Sequence, residues 1–396
     1  MKKFLSMVTI GVIGIVLTAC NPAPLDISPT EAALEQSTEP VQAATQTPAQ
    51  TSTITIPTAT KKPNPFPLAD PGPYYTSKQT ITYMDETHSG REIEVTLYYP
   101  AVRENDANGQ LIRFEANPDM SGAPYPLVMT GDASGKVIFR EHLASHGFVM
   151  AIVGFSDEYN DYIDQVVDYP RDFLFVLDQL TSNPPDNLVA VIDTDQVGVA
   201  GYSGDGFVSL ALSGVRIDPE YYLSFCMQIS SIEPKVSDWY IDYSCSLASN
   251  WDELVGIAGE EMTTSSDGLW QPLIDERIRA VMPMAPDGAW LYGELGLAAA
   301  DLPMLIIAPT EDEYVPYQLE TRFIFEHAGS PELFMISFVG RGHGMPYDTE
   351  QANRMRHFTI AFMGTYLQGR EDYRTYFSED FVTQFDDLAW GMVPEE

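Results

Sequence analysis

The chain has 396 residues and a formal net charge of −36, which arises from 21 basic and 57 acidic side chains. An acidic excess of this size argues against nucleic-acid binding and against peripheral binding to anionic lipid headgroups, because both of those surfaces are polyanionic. Once the N-terminal segments are set aside, roughly 330 residues remain, which suits one large α/β domain with an insertion.

The first twenty residues have the pattern of a secretory signal. Lys2 and Lys3 precede an apolar run over 4–17, and the segment closes with "LTAC" at 17–20. A short basic region, an apolar stretch of this length and small residues describe a cleaved signal rather than a membrane-spanning helix. The closing cysteine resembles the lipobox of bacterial lipoproteins, in which the thiol is lipidated. We therefore predict a signal peptide over 1–20, lipidation at Cys20, and an extracytoplasmic protein anchored in a membrane, at the cell surface or in the periplasm.

Residues 21–68 are rich in threonine, proline, alanine, glutamine and serine, as in "TQTPAQTSTITIPTATKKPNPFP". Such a composition cannot bury enough apolar surface to offset the entropy lost on ordering. We predict a disordered tether over 21–68 and a folded domain over 69–396.

The folded part alternates strand-like and helix-like patterns. "QTITYMDET" and "REIEVTLYYPA" alternate apolar and polar residues around a His-Ser-Gly turn and predict a hairpin. "IFREHLASHG" at 138–147 has helical spacing with a terminal glycine. The wholly apolar run "FVMAIVGF" is typical of a strand buried on both faces of a parallel sheet. Similar runs at 126–131, 197–202, 278–286, 303–309 and 333–340 are separated by amphipathic helical segments. We predict an α/β fold with a mostly parallel central sheet, helices on both faces and an N-terminal antiparallel hairpin.

One stretch, about 215–276, breaks this rhythm, and we predict that it is an insertion forming a cap. It carries Cys226 and Cys245, which are the two cysteines left when Cys20 is lipidated. In an oxidising compartment these two are disulfide candidates, and the alternative is a pair of buried free thiols.

Three residues with catalytic chemistry follow three apolar runs. Ser203 ends the run in "VGVAGYSGDG", Asp312 follows "LIIAP", and His343 lies in "GRGHG" after the last predicted strand. Functional groups of such sheets lie at the carboxyl ends of the strands. A serine hydroxyl needs an adjacent base to act as a nucleophile, and a carboxylate can orient that base. The chain order serine, aspartate, histidine is the order of the α/β-hydrolase triad. We predict Ser203 as nucleophile, His343 as base and Asp312 as the orienting acid.

Competing residues are less well placed. The other histidines fall in the predicted hairpin turn or on predicted helices, where we expect solvated or structural roles: His88, His142, His146, His327 and His357. His142 and His146 are four apart and share a helix face, but no third ligand is evident, so we expect no metal site. Glu311 and Glu313 flank Asp312, which we prefer because Thr-x-Asp-x-x-Val-Pro places its carboxylate at a turn.

Acyl transfer also needs two N–H donors for the developing oxyanion. Gly204, directly after the nucleophile, is one candidate, and the loop 131–135 should supply the other from Ala133 or Asp132. Asp205 follows in the first turn of the next helix, where an exposed negative charge is favourable by about 0.3–1 kcal/mol. Because aspartate is larger than the glycine usual there, we expect a slightly opened turn and a pocket that disfavours anionic substrates. Asp205→Gly should then keep its activity on neutral esters and gain activity on acidic ones.

Together these motifs resemble the α/β-hydrolase superfamily, and within it the dienelactone-hydrolase-like and platelet-activating-factor-acetylhydrolase-like esterases. The resemblance covers about residues 80–370 and rests on "VTLYYPA", "YPLVMTGDASG", "HLASHGFVMAIV", "GYSGDG", "PTEDEYVP" and "GRGHG". It implies an α/β-hydrolase fold and a serine carboxylic ester hydrolase. That enzyme would act through an acyl-enzyme on a small-molecule or lipid-like ester, without a cofactor. Two departures bear on the substrate. The oxyanion loop is Thr-Gly-Asp-Ala-Ser-Gly instead of a His-Gly type, and Asp205-Gly206 stands where the family has Gly-Gly.

Two other functions remain open from the sequence. One is a non-catalytic surface-binding lipoprotein that kept the fold, since fold alone does not establish function. The other is a serine peptidase of the same fold, although no peptide-binding feature is identifiable in the sequence.

Overall fold

The computed structural model describes residues 64–87, 90–155, 162–232 and 235–393. The predicted signal peptide, Cys20, His88 and most of the predicted tether lie outside the described residues. Within the described part of the chain, no helix combines the length and the apolar character needed to cross a bilayer.

Nine strands form one sheet in the order β1-β2-β4-β3-β5-β6-β7-β8-β9. The hairpin β1–β2 is antiparallel, β2 also pairs antiparallel with β4, the strands from β4 to β8 are parallel, and β9 returns antiparallel on β8. The prediction of an α/β fold with a mostly parallel sheet and an N-terminal antiparallel hairpin is confirmed. The strands are β1 (Tyr75–Asp85), β2 (Arg91–Ala101), β3 (Tyr125–Gly131), β4 (Val149–Val153), β5 (Ile192–Tyr202), β6 (Ile278–Met284), β7 (Met304–Pro309), β8 (Leu333–Phe338) and β9 (Leu388–Trp390).

Helices connect the strands and bury both faces of the sheet. Neighbouring strand residues point to opposite cores: Leu127 belongs to the core that includes residues of α3, and Val128 belongs to the core that includes residues of α10. Because both faces are covered, β4 and β7 are buried along their whole length, which explains their continuous apolar sequences. The helices are α1 (Asp132–Ser134), α2 (His142–Ser145), α3 (Tyr162–Ser182), α4 (Gly204–Ala211), α5 (Pro219–Gln228), α6 (Asp238–Ser244), α7 (Trp251–Thr263), α8 (Ala289–Leu297), α9 (Thr321–His327), α10 (Thr349–Gln368) and α11 (Glu379–Val382).

The single helix predicted over 138–147 is wrong, because the segment is divided at Arg140. A π-helical turn covers Gly135–Phe139, Arg140 has φ 45°, and α2 begins only at His142. A non-glycine residue with positive φ ends the helical hydrogen-bond pattern, and helical spacing in the sequence does not reveal it.

The folded domain begins earlier than the predicted start at residue 69. Phe66 and Leu68 are buried, with exposed fractions of 6% and 8%. The Phe66 ring packs against Phe358 and Phe385, and Leu68 donates its N–H to His357 at 3.1 Å. Apolar residues at the end of the polar stretch therefore belong to the core.

The insertion that was predicted as a cap is helical and contains α5, α6 and α7. A disulfide joins Cys226 on α5 to Cys245, the residue after α6, with a Cα–Cα distance of 5.5 Å. The bridge therefore links two of the three helices of the insertion.

Candidate active site

Ser203 occupies a sharp turn between β5 and α4. Its backbone has φ 59° and ψ −124°, a conformation that non-glycine residues rarely adopt and that costs of order 1–3 kcal/mol. The turn is held because the Ser203 N–H donates to the Met284 carbonyl at 2.9 Å. Gly201 permits it, since a Cβ there would lie 2.3 Å from the Asp205 carbonyl oxygen. The strained turn lifts the Ser203 hydroxyl beyond the carboxyl end of the sheet.

The structure brings Ser203, His343 and Asp312 together. The His343 Nε2 lies 2.9 Å from the Ser203 Oγ, and its Nδ1 lies 2.7 Å from the Asp312 Oδ2. The Asp312 carboxylate therefore accepts a hydrogen bond from the His343 Nδ1–H, which leaves Nε2 as an acceptor for the Ser203 hydroxyl. This is the geometry that a base-activated serine requires.

The two partners of Ser203 are themselves fixed by local hydrogen bonds. The Asp312 Oδ1 accepts the N–H groups of Tyr314 at 3.0 Å and Val315 at 2.8 Å. Both oxygens of Asp312 therefore accept hydrogen bonds, and the residue is only 9% exposed to solvent. The turn preference that singled out Asp312 in the sequence corresponds to these two backbone bonds.

The loop that carries His343 is held from two sides. The Tyr202 hydroxyl donates to the His343 carbonyl at 2.9 Å, and the His343 N–H donates to the Glu313 Oε2 at 2.9 Å. Burial and the nearby Asp312 charge raise the pKa of Tyr202 above its usual value, so its hydroxyl stays a donor. The bond from the His343 N–H lowers the pKa of Glu313. Both contacts position the imidazole without touching the Ser203 hydroxyl.

Backbone N–H groups suited to an oxyanion surround Ser203. Gly204 is the first residue of α4, so its N–H has no partner within the helix. Ala133 lines the space on both sides of Ser203. Asp132 lines neither of these two cavities. The positions favour Ala133 over Asp132 as the second donor.

Two cavities meet at Ser203. One has a volume of about 210 Å³, and its lining includes the aromatic side chains of Tyr169, Phe207 and Tyr243 together with Asp287. The other has a volume of about 190 Å³ and contains His343 together with the apolar side chains Val137, Ile138 and Pro346. Tyr243 belongs to α6, so the insertion contributes a wall of the first cavity.

The prediction that Asp205 is exposed is wrong. Asp205 is only 7% exposed, and burial raises its pKa. Its Oδ2 accepts the Ser134 N–H at 2.8 Å, and its Oδ1 accepts the Tyr169 hydroxyl at 3.2 Å. The loop 131–135 covers the first turn of α4, which the sequence around Asp205 does not indicate. A carboxylate committed to these bonds gives no reason to expect an opened turn or selection against anions.

Three of the remaining histidines bond backbone groups near the N-terminus of the described chain. His142 and His146 contact the carbonyls of Leu68 and Asp70 at 2.8 and 3.0 Å, while His357 accepts the Leu68 N–H. Burial lowers the pKa of His142 to about 4 and that of His357 to about 3. These side chains fasten the segment that leads into β1.

Sequence reasoning missed Tyr202, Glu313, Ser134 and Tyr169. Tyr202 and Ser134 were visible as polar residues beside the nucleophile and inside the predicted oxyanion loop. Tyr169 lies on α3 without a local signal, since its contact with Asp205 spans 36 residues.

Comparisons with known proteins add no family assignment: no family model matches this chain, and no curated protein matches it.

Proposed function

We propose that the chain is a serine hydrolase of the α/β-hydrolase type that cleaves carboxylic esters through an acyl-enzyme. The observation that carries the proposal is the His343 ring, hydrogen-bonded to Asp312 on one side and to Ser203 on the other. The strained strand-turn-helix at Ser203 gives further support, because it is the context in which a Gly-x-Ser motif functions as a nucleophile turn.

Acylation begins when the Ser203 Oγ attacks the ester carbonyl carbon while His343 Nε2 takes the hydroxyl proton. Asp312 stabilises the imidazolium that forms. The carbonyl oxygen becomes an oxyanion, which the N–H groups of Gly204 and Ala133 would stabilise. When the tetrahedral species collapses, the bond to the leaving oxygen breaks and His343 returns the proton to the departing alcohol.

The position of His343 supports an assignment of the two cavities to the two parts of the substrate. The leaving oxygen must approach Nε2, so the alcohol occupies the cavity that contains His343 and Tyr347. The acyl chain then lies in the aromatic cavity with Phe207 and Tyr169. In deacylation a water replaces the alcohol and attacks the acyl carbon while His343 takes one of its protons. The bond from the acyl carbon to the Ser203 Oγ then breaks, His343 returns the proton to that Oγ, and the acid leaves.

We further propose that the enzyme is secreted and held at a membrane by lipid on Cys20. The pattern at 1–20 supports secretion. The disulfide between Cys226 and Cys245 fits an oxidising compartment. Mass spectrometry of the membrane-extracted protein tests this: a diacylglyceryl mass on an N-terminal Cys20 is expected, and an unmodified N-terminus contradicts it.

The direct test uses the wild type and Ser203→Ala with p-nitrophenyl acetate and butyrate, together with a fluorophosphonate probe. We expect turnover and labelling of the wild type and loss of both in the variant. Undiminished turnover in Ser203→Ala would refute the nucleophile assignment. A wild type that neither labels nor turns over would favour the non-catalytic lipoprotein. Faster cleavage of peptide p-nitroanilides than of esters would favour the peptidase.

A further inference from the structure

Ser134 of the loop 131–135 is held on both sides by residues that flank the nucleophile. Its N–H donates to the Asp205 Oδ2 at 2.8 Å, and its Oγ accepts the Tyr202 N–H at 2.8 Å. Tyr202 directly precedes Ser203, and Asp205 is the second residue after it. Ser134 therefore links the loop by hydrogen bonds to the residues on both sides of the nucleophile.

The bonds of Ser134 and Asp205 lie in a dry, closely packed region. Ser134 is 2% exposed and Asp205 7% exposed. A Cβ on Gly131 would lie 1.8 Å from the Asp205 Oδ1 and 2.4 Å from the Tyr169 hydroxyl, so glycine is required there for the carboxylate to reach the loop. A buried carboxyl group that accepts two hydrogen bonds holds its partners more firmly than the same group in water.

We propose that Asp205 is a positioning residue that fixes the oxyanion loop against the nucleophile turn through Ser134. The inference rests on the proposed function and deepens it. The bond to the Ser134 N–H fixes the peptide plane that joins Ala133 to Ser134, and it thereby holds Ala133, whose own N–H belongs to the preceding peptide, in place beside the nucleophile turn. Gly204 directly precedes Asp205 in α4, so Asp205 holds the loop that carries Ala133 at a fixed position relative to the N–H of Gly204. The aspartate that departs from the Gly-x-Ser-x-Gly pattern thereby has a task that glycine cannot perform.

The test compares Asp205→Ala with Asp205→Asn. Alanine removes both acceptors, and because loss of one oxyanion donor costs about 10²–10³ in kcat, we expect a fall in kcat of up to about 10²-fold. KM should change little, because the oxyanion forms only in the transition state. Asparagine keeps one acceptor for the Ser134 N–H and can donate to the Tyr169 oxygen, so it should retain most of the activity. Labelling by the fluorophosphonate should slow in parallel with kcat.

A matched control is Asp275→Ala. The Asp275 side chain accepts the Arg277 N–H at 2.9 Å just before β6, at the amino ends of the parallel strands and away from Ser203. Its loss should lower the free energy of unfolding and leave kcat unchanged. Should Asp205→Ala not fold, Asp205→Asn still tests the role of Asp205, and Ser134→Ala tests the second bond that holds the loop. Ser134→Ala keeps the N–H bond to Asp205 and loses the Oγ bond to Tyr202, and a smaller fall in kcat is expected.

The outcomes separate the two proposals. Wild-type kcat in Asp205→Ala and Ser134→Ala, with activity still dependent on Ser203, would overturn the role of Asp205 and leave the proposed function standing. A raised KM without a change in kcat, or no recovery in Asp205→Asn, would indicate general packing and would also overturn it. Absence of any activity dependent on Ser203 in the wild type would overturn both.

Discussion

Acidification from pH 7 to pH 5 should destabilise the folded domain through His142 and His357. Both are buried, with exposed fractions of 9% and 0%, and burial lowers their pKa values to about 4 and about 3. The unfolded chain binds protons at these side chains near pH 6.5, so it gains more protons than the folded state below that pH. Their contribution is therefore complete above about pH 6.5 and is lost as the pH falls toward the folded pKa values.

The magnitude follows from linkage. Each histidine reduces the free energy of unfolding by about 1.4 kcal/mol per pH unit across this window, which amounts to about 2 kcal/mol each at pH 5. The two together cost about 4 kcal/mol, a large share of the stability of a typical domain.

Urea unfolding at pH 7, 6 and 5 measures this loss by linear extrapolation. Burial also lowers the pKa of His146 and raises that of Asp205, so the difference between the wild type and a His142 variant, rather than the wild-type slope alone, isolates one histidine. His142→Gln keeps a side-chain N–H for the Leu68 carbonyl and does not titrate, so it should remove about 1.4 kcal/mol per pH unit from the slope of the free energy of unfolding with pH. Equal stability at pH 7 and 5, or an unchanged slope in His142→Gln, would refute the reasoning.

Three further predictions concern the insertion, the N-terminus and the substrate. Reducing the Cys226–Cys245 bridge should lower the free energy of unfolding by about 3 kcal/mol, because the bridge closes a loop with a sequence separation of 19. Urea unfolding curves with and without reductant measure the effect, and coincident curves would contradict the prediction. Phe66→Ala should cost about 3 kcal/mol in thermal or urea unfolding, since the ring is buried against α10, whereas an unchanged midpoint would place residue 66 in the tether. The acyl cavity of about 210 Å³ has room for about seven water-sized groups, so kcat/KM on p-nitrophenyl esters should peak near butyrate to hexanoate. A maximum at palmitate would show that the chain binds elsewhere.

Much of the architecture follows from local patterns. Continuous apolar runs predicted the strands β4 and β7, because only a sheet covered on both faces buries every residue of a strand. Ser203, Asp312 and His343 were each recognisable as polar residues directly after such runs. Parallel strands bring their carboxyl ends to one edge, so residues 109 and 31 positions apart in the chain could be expected to meet.

Contacts between distant segments decided the rest. Asp205 lies in the first turn of α4, as its sequence position indicates, yet its burial depends on Ser134, 71 residues earlier. Leu68 joins the core because His357, 289 residues later, accepts its N–H. Sequence by itself determined the periodic elements and the residue types at their ends, because those depend on near neighbours. Only tertiary structure decided which polar groups are desolvated and what they bond to, because desolvation depends on segments that the local sequence does not contain.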